Sequence, residues 1–474
     1  LLDSSCRPVF SLLLALTCAG FSVSCVPADV GYQDVRRTTS ERLHADVRWR
    51  EIDGAKDAAR RTKELLRAPL TADAAVQVAL LNNRSLQASF EDLGVARAGL
   101  VRALRLPNPS ADGAILFHSS GDRPELQLRA MEDLSELIVL PLRHGAAKAE
   151  LEAAKTSVLG SVLDVAFATR SAFLTHQASA QLLELQETVL EATRASFEAA
   201  KGLHDAGNLT DLSFATERAL YEETTVAHAR ARMDVVASRE TLGALMGLLP
   251  EDGSWSVANR LPDLPEAELP VDTLERRALE KSFDLSLVKQ RYEAARKRAN
   301  YSRVRGFLPE LGVGVEAERR EEWGVGPAAA VSIPLFYQGQ GEVGEALAEM
   351  RRQREMFADV ALRVRAQARS LGTRLTTTRR NAAYYRDVLL PLRNQIVQDA
   401  QLEYNAMSIG VFQLLQARRD QIATARQYVD GLREYWMARS EAESLLAGRL
   451  SRAFMDSRST MPATSTSTGS EGLH

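Results

Sequence analysis

Apolar residues recur every three or four positions through most of this chain, and in two places the period drops to two. The first helical run starts at Leu70, with Thr71 placed to cap it. It ends at Pro107-Asn108-Pro109, where two prolines force extended backbone. Ala111 to Phe117 and Glu125 to Leu134 then read as a strand pair, with Leu126, Leu128 and Ala130 alternating with Gln127 and Arg129 across a turn at Ser119-Ser120-Gly121-Asp122. Leu140-Pro141-Leu142 leads into Ala146, from which a helical pattern continues to about Leu203, roughly 85 Å of helix. Leu183, Leu190 and Phe197 recur at sevens along it, the spacing of a packing seam. A return helix runs from Asp211 to about Leu248.

The whole scheme then repeats. After a proline-rich linker at 250–270, Asp272 opens a helix that shares an Ala-Leu pair with the first run (Ala278-Leu279, Ala79-Leu80) and also ends at a proline, Pro309. Leu311, Val313, Val315 and Ala317 alternate with Gly312, Gly314, Glu316 and Glu318. Beyond the turn Arg319 to Gly324, Val331, Ile333 and Leu335 share one face. Ile333-Pro334-Leu335 echoes Leu140-Pro141-Leu142, a second long helix runs to a turn at Met407, and its return helix ends near Gly448. The two turns between long helices align without a gap: Ala206-Gly207-Asn208-Leu209-Thr210-Asp211-Leu212 lies over Ala406-Met407-Ser408-Ile409-Gly410-Val411-Phe412. A duplication is the simplest account. It gives a first repeat over 70–249 (strands about 110–140, tip turn about 205–212) and a second over 271–450 (strands about 310–335, tip turn about 405–412). Residues 25–69 read as a peripheral segment with a helix from Ser40 to Leu66, and residues 457–474 as a low-complexity, disordered tail.

Composition supports long helices: 45% of the 474 residues are hydrophobic, 26% charged and only 6% aromatic. With a net charge of -3 and with Lys and Arg interspersed among Asp and Glu, the sequence offers no basic face of the kind nucleic acid requires. Its three cysteines, Cys6, Cys18 and Cys25, lie beside the apolar run Val9 to Phe21, which reads as a secretory signal over 1–24. Small residues before Cys25 fit a lipoprotein signal in which that cysteine is acylated; plain cleavage or a free thiol are the other readings. No disulfide framework or cysteine metal site follows from this set.

Nothing in the sequence supports catalysis, a cofactor or a metal site. The histidines, His44, His118, His144, His176, His204, His228 and His474, form no ligand spacing. Gly339-Gln340-Gly341-Glu342-Val343-Gly344 spells a dinucleotide fingerprint but lacks the strand-helix-strand context, so it reads as a strand-to-helix joint. Each repeat instead offers two strands of about ten residues, the length of a tilted membrane strand. Four strands cannot close a barrel, so a membrane role demands that several copies pool their strands. A soluble β-layer on a helical stalk is the alternative.

The element order, the LPNP and FLPEL helix exits, the paired tip turns and the ending YRDVLLPLRNQIVQDAQLEYNAMSIGVFQLLQARR resemble the TolC-like outer-membrane efflux factors over about Leu70 to Gly448. The resemblance implies a mainly α fold with a small β part. Long antiparallel helical hairpins would form a trimeric periplasmic α-barrel, and four strands per chain would contribute to a twelve-stranded outer-membrane β-barrel. It implies a passive duct, docked through its tip to a periplasmic adaptor protein and an inner-membrane pump of the resistance-nodulation-division type, with a slight lean to heavy-metal systems. A lipid-anchored structural stalk without a channel and a type I protein-secretion duct are the alternatives.

On that template the hairpin turns face outside. Gly207, Asn208, Leu209, Thr210, Met407, Ser408, Ile409 and Gly410 form the adaptor-docking tip, and Gln413 and Gln416 stand where some relatives carry a ring of aspartates constricting the tunnel. Two departures matter. Met407 occupies a usual glycine position, so that turn must avoid left-handed backbone or accept strain. Arg84 and Phe283 stand where the repeat starts commonly carry proline.

Overall fold

The computed structural model describes residues 31–117, 124–249, 254–258, 260–319 and 322–451. The signal segment with Cys25, the first hairpin turn at Ser119 to Asp122 and the 457–474 tail lie outside these residues. Two compact units are present, and each draws on both repeats: one from residues 31–35, 90–156 and 288–355, the other from 36–89, 157–287 and 356–451.

The chain opens with α1 (Tyr32–Leu43), α2 (Arg50–Asp53) and α3 (Ala55–Leu65). The continuous helix expected from Ser40 to Leu66 is thus three pieces: the chain turns out of the first at His44, at φ 52°, and Gly54, at φ 79°, ends the second and opens the third. Nor is this segment loosely attached: Tyr32 is wholly buried and meets the Phe90 ring edge-on at 5.7 Å, and Trp49 is buried in the other unit.

The first unit contains β1 (Ser110–Leu116), β2 (Glu125–Asp133), β3 (Glu310–Arg319) and β4 (Trp323–Ser332), antiparallel in the order β1-β2-β3-β4. The two hairpins are therefore fused through β2 and β3, in register from Leu126 opposite Arg319 to Asp133 opposite Gly312. Period two puts Leu128, Ala130, Val315, Ala317 and Val325 on one face, and Gln127, Arg129, Glu316 and Glu318 on the other. On the polar face Arg129 and Glu316 pair at 3.1 Å. The fourth strand ends at Ser332, so Ile333 and Leu335 lie beyond it; Pro334 has no N–H to donate to a ladder.

The two prolines that echo each other in sequence behave differently. Pro334 sits in irregular backbone, whereas Pro141 lies inside α6 (Ser135–Asp205), which begins directly after β2 rather than at Ala146. Six helical residues precede Pro141, so one intrahelical bond is lost. Arg143, two residues on, ties this part of the helix down by donating to the Ala103 carbonyl at 3.0 Å and to Glu136 at 2.8 Å.

In the helices the duplication is visible in detail. The Leu70 run is α4 (Ala72–Asn82) and α5 (Arg84–Leu104), and its counterpart is α8 (Leu274–Lys281) and α9 (Phe283–Phe307). Thr71 caps α4 as expected, accepting from the Ala74 N–H at 3.1 Å. Each run is broken by a residue that caps its second half: Asn83 accepts from the Leu86 N–H at 3.0 Å, and Ser282 from the Leu285 N–H at 3.1 Å. The return helices α7 (Asp211–Met246) and α12 (Val411–Leu446) end against these breaks. Gly247, at φ 65°, lies so close that a Cβ would stand 2.6 Å from the Asn82 carbonyl, and Gly448, at φ 102°, is jammed in the same way against Lys281. Asn83 donates to the Leu245 carbonyl and Phe283 to the Gly448 carbonyl, each at 2.8 Å.

The proline-rich linker is a strap. Gln177 on α6 donates to the Ala258 carbonyl, Arg239 on α7 covers the Trp255 ring at 4.0 Å, and Trp436 on α12 donates to the Pro262 carbonyl. Glu268 binds Arg379, Arg439 and the Tyr435 hydroxyl. Burial pushes this carboxyl upward, but the Leu269 N–H, Arg379, Tyr435 and Arg439 outweigh it and hold Glu268 below the usual carboxylate range. The second long helix is α10 (Gln340–Tyr384), a π turn (Tyr385–Leu389) and α11 (Leu390–Asn405), rather than one uninterrupted rod.

Candidate docking tips and constriction

Both tip turns lie in the second unit and close by the same hydrogen bonds. In the first, Asn208 N–H donates to the Leu203 carbonyl and Gly207 N–H to His204, each at 2.8 Å; in the second, Ser408 donates to Glu403 and Met407 to Tyr404, each at 2.9 Å. A six-residue ring enclosing a shorter one is the Schellman closure, which requires left-handed backbone at the residue after the helix. Gly207 supplies it at φ 75° and Met407 at φ 59°. The Met407 turn thus adopts the left-handed geometry and accepts its cost. In both turns the apolar residue, Leu209 or Ile409, is half-buried, and the residues on either side of it are exposed. The gap-free alignment therefore reproduces backbone, hydrogen bonds and burial position by position.

The helices leaving the turns are capped by different means. Thr210 Oγ1 accepts from the Ser213 N–H at 3.3 Å. Gly410 has no side chain to offer, and Gln413 instead reaches back to accept from the Gly410 N–H at 2.6 Å. Gln416 donates to Asp420 at 2.9 Å, and Asp420 also pairs with Arg393 at 3.1 Å. Of the two residues aligned with the constriction, both are exposed; Gln413 is occupied by capping, while Gln416 lies beside a carboxylate one turn further on.

Three further features lie near the tips, and of these the sequence signals only Phe197, through its place in the seam of sevens. His204 bonds Asp211 across the first turn at 2.8 Å and stacks on Phe214 at 4.7 Å. Phe197 lies between Phe214 and Tyr221, with ring centroids 5.8 and 5.3 Å away. Glu217 on α7, 2% exposed, accepts from Ser196 at 2.7 Å and from Arg419 on α12 at 3.1 Å. That last pair joins the two hairpins through residues 202 positions apart, and no local spacing could announce it.

Among the described residues no group of three His, Cys, Asp or Glu side chains is gathered as a metal site. Gly339, at φ 72°, turns the chain into α10, whose 45 residues are far longer than a dinucleotide-binding crossover helix.

Long helical hairpins carrying a four-stranded antiparallel sheet define the fold of the TolC-like outer-membrane efflux channels, and this chain has that fold. It superposes on the outer membrane protein VceC of Vibrio cholerae with a TM-score of 0.65, covering 80% of this chain and 97% of that one at 15% identity. For the open state of the MtrE outer membrane channel of Neisseria gonorrhoeae the TM-score is 0.62, with 83% and 90% covered at 14% identity. In sequence, the chain is 22% identical over 392 residues to the cobalt-zinc-cadmium resistance protein CzcC of Cupriavidus metallidurans, covering 80% of this chain and 90% of that protein. No family model matches the chain.

Proposed function

We propose that this chain is the outer-membrane duct of a tripartite efflux pump and conducts substrate passively from periplasm to exterior. The observation that carries the reading is the sheet: its apolar face is open to the surroundings, with Ile115 59%, Val325 62% and Val331 61% exposed, while its opposite face carries the Arg129–Glu316 pair. A water-soluble layer would bury that apolar face, whereas a membrane barrel turns it to lipid and its polar face to the lumen. The outer edges of β1 and β4 have no strand partner among the described residues. In lipid each unpaired edge group costs several kcal/mol, so β4 of one copy must pair with β1 of the next. Three copies give twelve strands, a homotrimer.

In this assembly the helical hairpins extend into the periplasm. The turns at Gly207 to Thr210 and Met407 to Gly410 dock the adaptor, which links the duct to an inner-membrane pump of the resistance-nodulation-division type. Gln413 and Gln416 make an uncharged constriction, with Asp420 just behind it. Cys25 anchors the chain by acylation. The likeness to CzcC supports divalent metal ions as the substrate class.

Planar-bilayer conductance, with oligomeric mass determined on the same detergent-purified preparation, tests the proposal. A trimer giving discrete conductance steps is the expected result. A monomer, or a trimer that stays silent after its tip turns are loosened by mutation, would favour a lipid-anchored stalk without a channel.

A further inference from the structure

We infer that the helical collar next to the strands binds the anionic phospholipid headgroups of the periplasmic leaflet through a band of arginines; this rests on the duct reading. Residues 94–109, which run into β1, contain Arg97, Arg102 and Arg105 and no acid. Residues 294–309, which run into β3, contain Arg296, Lys297, Arg298, Arg303 and Arg305, again with no acid. Eight cations without a carboxylate stand out in a chain whose net charge is -3. The helices leading away from the sheet do not cancel them: residues 135–150 hold Glu136 and Glu150 against Arg143 and Lys148, and residues 340–354 hold three Glu against three Arg.

Not every member of the band is available. Arg305 is committed to Glu136 at 3.2 Å and Glu310 at 3.0 Å, inside the collar. Arg102, Arg298 and Arg303 are exposed, and Arg296 keeps 54% of its side chain exposed while pairing with Glu293. A second observation fixes the kind of surface they face. Phe307 is 69% exposed one turn beyond Arg303, and Phe336, 96% exposed, and Tyr337, 59% exposed, follow the last strand. Exposed aromatics at strand ends with arginines immediately behind them match the layering of a membrane boundary: rings among the ester groups, guanidinium groups among the phosphates. An acidic protein surface would account for the arginines but not for the bare aromatic rings.

The experiment titrates the trimer in neutral detergent with short-chain phosphatidylglycerol and, in parallel, with phosphatidylcholine of the same chain length, reading bound lipid by native mass spectrometry at low and high salt. We expect a preference for phosphatidylglycerol that shrinks with salt. The variant R102Q/R296Q/R298Q/R303Q should lose at least about fivefold in that affinity. The matched R102K/R296K/R298K/R303K variant should retain most of it, which separates charge from packing. Glycerol phosphate without acyl chains should not compete; if it does, the band is a free-phosphate site and the lipid assignment falls. Equal binding of both lipids, or an unchanged Gln variant, would also overturn the inference, as would a Gln variant that keeps its lipid but no longer co-purifies with an adaptor. Conductance recorded on the same preparations separates the two ideas. A conducting wild type without lipid preference sinks only the band, whereas a protein that never inserts sinks the duct and the band together.

Discussion

The two tip turns share a backbone but not the residues that make it. In the first, glycine occupies the one position that demands left-handed backbone, and a threonine caps the next helix. In the second, methionine occupies the demanding position, while glycine stands at the cap, where φ is -81° and any residue would serve. The shape of a tip is therefore set by its nested hydrogen bonds and by the two helices it joins, and individual residues adjust around it. Methionine in the left-handed region costs about 1 kcal/mol. Its side chain, 93% exposed, recovers none of that by burial. Under the duct reading the second tip thus presents a bare apolar knob to its partner and the first presents open backbone.

The largest effect should come from spoiling the tips as docking surfaces. Gly207→Trp, or a glutamate at Leu209, Thr210 or Ile409, is expected to reduce efflux, followed as substrate tolerance of cells, to the level of a strain lacking the duct, with trimer migration on gels unchanged; loss of the trimer would make these turns structural only. Next is the pair between hairpins. Arg419→Ala leaves Glu217 buried without its cation and should cost about 3 kcal/mol by chemical denaturation, and combining it with Glu217→Gln should recover part of the loss. Exchanging the turn residues sharpens the comparison directly: Met407→Gly should stabilise by about 1 kcal/mol and Gly207→Met destabilise by a similar amount. If both changes prove neutral, the left-handed cost is being met elsewhere. Smallest are the caps. Thr210→Ala should cost about 1 kcal/mol and Gln413→Ala somewhat less, read as faster amide exchange in the first turn of each return helix.

How much of this was legible follows from how local each determinant is. The order of elements, the strand pairs and the equivalence of the tips could be read because periodicity, proline stops and a gap-free repeat are properties of neighbouring residues. Pro141 misleads because a proline reads as a stop, whereas here a helix begun at Ser135 has already formed and Arg143 holds it in place. Asn83 and Ser282 do not stand out because polar residues in an apolar-periodic run look like its solvated face; their caps reach only three residues ahead, but the return helix that meets each break lies more than 160 positions away. The strap reads as a linker for the same reason. Its anchors, Arg239, Arg379 and Trp436, are ordinary helix-surface residues until the chain brings them to it. For Gln413 and Gln416 the alignment could not announce that Gln413 is engaged at a glycine cap or that Asp420 stands one turn beyond Gln416.

The wide turn at Tyr385–Leu389 has a consequence for everything downstream of it. Leu390 N–H donates to the Tyr385 carbonyl five residues back, and Pro391, which cannot donate, follows immediately. One surplus residue is thereby absorbed on the spot. Excising a single residue there would leave a tidier helix, but it would turn α11 by about 100° about its own axis. Val397 would swing out of the core, and Arg393 away from Asp420. The bulge therefore works as an indexing notch, fixing which side of the last four turns before the second tip looks inward.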